Sequence, residues 1–252
     1  MPLSMQNGLV EHLAAPASEV RIADVRIGLG YSAIRLESGH AGLAWTPPPE
    51  SGGCSHLKMA GTLTGRSALE LLQMLATEQP LLRTIGLATA NALLACLPQP
   101  STSKEEVVDG LQITAEDHVV MVGYFGPLVK RFQGSGCRFD IIELDSSRPG
   151  VLSPQQGRSA LAACSVAVLT GTSFVTGTVD ELLGDLGQPR EAVLLGPSAP
   201  FCPEVFSGTP LTRIAGARVL DAEGALKVVS EGGGTPMFKP YVSFETLLLK
   251  PN

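Results

Sequence analysis

Hydrophobic residues in the second half of the chain come in short unbroken runs, each stopped by small or turn-forming residues. Residues 166–169 (VAVL) end at Thr170-Gly171-Thr172, residues 192–195 (AVLL) end at Gly196-Pro197-Ser198, and residues 179–183 (VDELL) between them read as a helix. Runs of this kind mark strands buried on both faces, and a helical crossover makes such strands parallel. The unit is βαβ. Further runs at 118–122, 139–144 and 211–219 predict more strands, the last broken at Gly216, with helices at 127–132 and 222–230 and a short turn of helix at 201–206. Residues 241–249 form a final extended run, an edge strand or a return to the first domain.

The first half is patterned differently. Leu3, Leu9, Val10 and Leu13 have helical spacing, in a helix over 3–14 that Pro16 ends. Residues 20–45 break into short extended pieces separated by Gly28, Gly30 and the Ser38-Gly39-His40 turn, which predicts an antiparallel meander. The prolines and glycines of 46–56 make that segment a loop, and helices follow at 67–77 and 80–97. Small residues at Gly86, Ala88, Ala90 and Ala92 let the second of these helices lie close to a sheet. Residues 98–110 are polar and turn-rich, so the boundary is placed there. The fold class is α/β: an α+β domain over 1–110, then a parallel α/β domain over 111–252.

Charge narrows the partners. A net charge of -6 with no Lys/Arg cluster argues against nucleic acid. No apolar stretch approaches the roughly 20 residues of a membrane span, and the first residues lack a basic n-region and long apolar core, which leads to the expectation of a cytoplasmic protein. The 5 cysteines are odd in number and scattered without a Cys-x-x-Cys pair, as expected of free thiols rather than a disulfide framework.

In open parallel sheets ligands bind at the carboxyl ends of the strands. That makes Thr170, Gly171, Thr172, Gly196, Pro197 and Ser198 the expected functional face. Glu143, at the end of the 139–144 strand, is the candidate acid/base, with backbone donors near Gly171 and Gly196 stabilising an anionic group. A dinucleotide fingerprint fails at Gly123-Tyr124-Phe125-Gly126, where two aromatics stand in place of bare backbone. Asn91, in mid-helix, is either exposed or locally bonded, or else a ligand contact or a supporting hydrogen bond behind one at the domain junction. Cys54 and His56 are the local pair for a transition metal, and a third ligand would have to come from Glu143, Cys202 or His118. The Gly232-Gly233-Gly234 loop is flexible enough to close over a ligand.

Several segments in this order carry a family resemblance: IGLATANALLA (85–95), VVMVGYF (119–125), IIELDSSRPG (141–150), AVLTGTSFVTGTVDELL (167–183), LLGPSAPFCPEVF (194–206), IAGARVLDAEGA (214–225) and EGGG (231–234). The chain resembles the heavy-metal-chelation family together with its N-terminal companion domain. The resemblance implies a domain like the small N-terminal domain of enolases, a Rossmann-like domain after it, and a site in the cleft between them. The matching positions are Asn91, Tyr124, Phe125, Glu143, Thr170, Gly171, Thr172, Thr178, Gly196, Pro197 and Ser198. Thr176 and Val151 depart from the family pattern, where Asn and an acid are usual.

Together these readings favour a protein that binds a metal, a metal complex or a small anionic ligand between its domains. A homo-oligomer is compatible with the sequence. The alternatives are an enzyme acting on a small organic, nucleotide-like or pterin-like substrate through Glu143, and a non-catalytic interaction scaffold.

Overall fold

The computed structural model describes residues 4–49, 56–145 and 147–249. Helix α1 (Met5–Ser18) is capped by the Ser4 hydroxyl and buries Leu9 and Leu13. Pro16 does not end it but lies in its last turn, where a missing N–H removes a single intrahelical bond. Strands β1 (Ile22–Ile27), β2 (Tyr31–Leu36) and β3 (Ala41–Trp45) form the expected antiparallel meander in the order β1-β2-β3. The helix expected over 67–77 is shorter: α2 (Ala68–Leu72) tightens into a 3₁₀ turn, Gln73–Ala76. Helix α3 (Pro80–Cys96) then crosses the meander.

The approach of α3 to β3 requires Gly42. A Cβ there would fall 2.3 Å from both Ala88 O and Ala92 N. No side chain fits between sheet and helix at that point, which is the use of the small residues on α3.

A short helix, α4 (Val107–Leu111), occupies part of the segment read as a linker. Next come β4 (His118–Val122), α5 (Gly126–Gly134), β5 (Arg138–Ile142), α6 (Pro154–Ala163), β6 (Val166–Thr170), α7 (Ser173–Thr176), α8 (Val179–Asp185), β7 (Glu191–Leu195), β8 (Arg213–Val219), α9 (Ala222–Ser230) and β9 (Val242–Leu248). The second sheet has the order β5-β4-β6-β7-β8-β9, parallel except for β9, which runs antiparallel to β8. Residues 242–248 are therefore an edge strand, and a bridge from Ser103 to Thr246 covers part of its outer side.

Two further expectations change. Gly216 does not break β8 but pairs with Glu245 inside it. Residues 201–206 form a series of tight turns, with Cys202 N–H bonded to Pro200 O and Phe206 N–H to Pro203 O, rather than a turn of helix.

Alternate residues of the parallel strands face opposite ways. Val120, Val122, Ala167, Leu169 and Leu194 join α1, α2 and α3 in one core. Val119, Met121, Val166, Val168 and Val193 pack with α4 and α5 on the other face. Helix α9 leaves its own sheet to pack on the meander, where Ala225, Leu226 and Val229 meet Ala33, Leu43 and Phe238. The small sheet is thus held between α3 and α9.

Candidate functional site

The second sheet changes winding direction between β4 and β6. The chain leaves β4 one way to form β5, then returns to build β6, β7 and β8 on the other side. The crossovers diverge there, which opens a crevice at the carboxyl ends of the strands. A cavity of about 650 Å³ occupies it.

Its walls come from the strand ends and from helices beside them: Gly123, Tyr124 and Phe125 after β4, Glu143 and Asp145 after β5, Thr170 and Thr172 after β6, Thr176 and Thr178 around α7, Arg158 and Leu161 on α6, and Glu181, Leu182 and Asp185 on α8. Trp45 and Pro48 close one side from the meander. Gly123 makes the first turn possible, with φ of 93° and a backbone so close to β6 that a Cβ would lie 2.9 Å from Thr170 Cβ. An L side chain is disfavoured there on both grounds.

The structure brings Tyr124, Phe125, Glu143, Thr170, Thr172 and Thr178 to one cavity. The hydroxyls of Thr170 and Thr172 pair at 3.0 Å, and those of Thr176 and Thr178 at 2.9 Å. The Arg148 guanidinium lies 3.8 Å from the centre of the Tyr124 ring, which orients that ring by a cation–π contact.

Other expected residues stand elsewhere. Gly171 and Gly196 do not offer free amides, since Gly171 N–H donates to Leu195 O at 2.8 Å and Gly196 N–H to Ala215 O at 2.9 Å. The sheet ladder continues past the strand ends and consumes both donors. Gly196 lies behind Phe125, and Ser198, with Pro197 beside it, is buried with its hydroxyl accepting the Trp45 N–H at 2.8 Å. This turn holds the cavity wall without lining it. Asn91 is outside the cavity as well, and its side-chain amide donates to Leu43 O at 2.8 Å, satisfying an acceptor on the edge strand β3. The 232–234 loop rests near the β1–β2 turn, with Gly233 N–H bonded to Val228 O, and does not line the cavity.

Sequence reasoning missed α6 and the cavity residues it carries. A signal was present: Ser153-Pro154-x-Gln156 is a capping box with proline at the first helical position, and both of its reciprocal bonds form. Arg158 on that helix reaches across to α8, donating to Asp185 at 2.7 Å and to Glu181.

The charge of the lining is one-sided. The lining carries four carboxylates, Glu143, Asp145, Glu181 and Asp185, against one cation, Arg158, which pairs with the last two, and the rest is aliphatic, aromatic or hydroxyl. Among the described lining residues there is no His, Cys or Lys. Glu143 therefore has no partner of the nucleophile–base kind, and a cation in the cavity would find only oxygen donors.

Softer donors gather elsewhere. His12 on α1, Cys202 and Glu204 place ligand atoms within 4.8 Å of one another. The Cys202 thiol lies 3.6 Å from Glu204 Oε2, which is 3.9 Å from His12 Nε2. Burial pushes the Cys202 thiol up to about 12, and the Glu204 carboxylate adds to the shift. Of the pair read from the sequence, His56 is exposed and outside this group, while Cys54 lies outside the described residues.

A doubly wound, mostly parallel sheet with a cavity at its switch point, closed on one side by a small antiparallel unit, defines the class as α/β. Residues 106–248 match the DUF364 family and residues 10–94 match DUF4213, both described as "Putative heavy-metal chelation". The chain belongs to this family. It is 25% identical over 236 residues to an uncharacterized protein of Methanocaldococcus jannaschii, with 90% of each chain covered. Its fold is that of two crystal structures of DUF364 proteins of unknown function. The one from Pyrococcus horikoshii matches with a TM-score of 0.84 at 19% identity, over 97% of this chain and 99% of that one. The one from Desulfitobacterium hafniense matches with a TM-score of 0.83 at 19% identity, over 97% of each chain. Among the described residues no helix is long and apolar enough to cross a membrane.

Proposed function

We propose that the protein binds a small organic cation, or a metal complex carrying positive charge, in the switch-point cavity. The observation that carries this reading is the lining: an apolar, partly aromatic floor with the carboxylates of Glu143, Asp145, Glu181 and Asp185 set against Arg158. Excess negative charge around a low-dielectric cavity attracts cations and repels anions. This favours a cation over the anionic ligand first considered. Binding is the main activity, because Glu143 would have to act as acid/base without a neighbouring nucleophile or base.

The site joins two units, and the division between them falls in the segment separating α3 from β4. The separate family matches at 10–94 and 106–248 support that division. The odd, scattered cysteines support a reducing compartment such as the cytoplasm.

Trp45 is the chain's one tryptophan and lines the cavity, so its fluorescence reports occupancy. Titration with tetraphenylphosphonium and with tetraphenylborate separates charge from shape, since the two ions differ mainly in sign. The cation should perturb Trp45 and raise the melting temperature, and the anion should bind more weakly. Leu144→Arg, which adds a positive charge at an exposed rim position, should weaken the cation. Equal binding of both ions, or no Trp45 response together with no copurifying adduct in native mass spectra, would overturn the proposal.

A further inference from the structure

We propose that His12, Cys202 and Glu204 form a second site, separate from the cavity, that binds one thiophilic divalent cation of the zinc or cadmium kind. The donor set is an imidazole, a thiol that gives its proton to solvent as the metal binds, and a carboxylate, a combination suited to borderline and soft ions and absent from the cavity lining. Metal–ligand bonds of about 2.0–2.3 Å at tetrahedral angles put ligand atoms about 3.3–3.7 Å apart. The observed Cys202–Glu204 and His12–Glu204 separations of 3.6 and 3.9 Å are already close to that. Small side-chain rotations complete the geometry.

The backbone under the site is held in place. The 200–206 turns are tied by Cys202 N–H to Pro200 O and Val205 N–H to Cys202 O. Helix α1 is anchored from below by fully buried Leu9 and Leu13, and at its start by Met5 N–H donating to Asp180. Cys202 lies at the base of the site with no exposed surface, while the His12 and Glu204 side chains are 32% and 62% exposed. An ion would enter from solvent, seat on the sulfur, and keep a fourth position open to water or to a chelator's donor atom. It would also clamp α1 to the turn that follows β7, and so join the two units on a side the cavity does not use.

The test is a titration of the metal-free full chain with cadmium, read by the ultraviolet thiolate-to-cadmium charge-transfer band. One equivalent should saturate the band and raise the melting temperature. Cys202→Ser should abolish it, and the exposed-site variants His12→Ala and Glu204→Gln should weaken cadmium binding by at least roughly tenfold while leaving the circular dichroism unchanged. Because those two variants change solvent-facing side chains, they decide the question even if Cys202→Ser folds poorly. A band that survives in His12→Ala and Glu204→Gln at full affinity, or that is lost instead in Cys54→Ser or His56→Ala, would overturn the assignment.

Discussion

The backbone N–H of Trp45, at the end of β3, donates to the hydroxyl of Ser198, in the turn after β7, at 2.8 Å. This bond fastens the meander to the parallel sheet beside the cavity. On its other side the Trp45 carbonyl accepts from the buried Thr84 hydroxyl at 3.0 Å, so the Trp45 backbone is held from both units. Ser198→Ala leaves that N–H without its partner. It should cost about 1–3 kcal/mol in denaturant unfolding, and it should broaden the response of Trp45 to tetraphenylphosphonium.

The turn after β4 has no room for a side chain. Gly123→Ala combines an unfavourable positive φ with a contact to Thr170 that must open by several tenths of an ångström. The expected loss is about 2 kcal/mol, measured by thermal unfolding, and cavity binding should fall with it because Thr170 is part of the wall.

At the opposite end of the sheet Asp117 is a buried hub. It accepts from Arg190 at 2.7 and 3.0 Å, from the Ser165 hydroxyl at 2.7 Å and from Thr114 N–H at 2.9 Å. The Arg190 guanidinium holds the carboxyl well below the usual carboxylate range. A depressed folded-state pKa contributes stability that is fully present above the unfolded value of 3.8 and is lost as pH falls through it toward the folded one. Wild type should lose stability below about pH 4, and Asp117→Asn should flatten that part of the acid limb. Asp117→Ala, which leaves the Ser165 hydroxyl and the Thr114 N–H without their acceptor while Arg190, 41% exposed, keeps its carbonyl partners, should cost about 1–3 kcal/mol at neutral pH.

Arg158 is the cation that offsets the cavity's carboxylates, and its side chain is 55% exposed. Arg158→Ala should therefore cost under about 1 kcal/mol of stability. It should tighten tetraphenylphosphonium binding, and Glu143→Gln should weaken it. Fluorescence titration of Trp45 in the two variants checks both signs.

Much of the architecture is local and could be read from the chain. The unbroken runs at 166–169 and 192–195, the helix between them and the meander over 20–45 are all present. Burial on one face or two writes itself into a short stretch of sequence through a period of two or an unbroken run. That Glu143, Thr170 and Thr172 lie at the carboxyl edge of the sheet was legible for a related reason, since they follow strands and strand ends are where an open sheet presents its ligands, whereas Tyr124, Phe125 and Thr178, the last lying between α7 and α8, were pointed to by the family resemblance.

What the tertiary structure alone decided is which of those strand ends face a common space and which are spent on holding the fold. Strand order set the cavity at β4 and β6, one strand away from Gly196, Pro197 and Ser198. Register gave the amides of Gly171 and Gly196 to neighbouring carbonyls, and the edge position of β3 drew Asn91 to Leu43. The chain order separates His12 from Cys202 and Glu204 by most of its length, and no spacing rule connects them. They meet because Leu9 and Leu13 bury α1 in the shared core beside the turns after β7. Long-range packing of this kind depends on the shapes of whole faces, whereas a pattern along the chain records only how each residue is buried, not what lies opposite it.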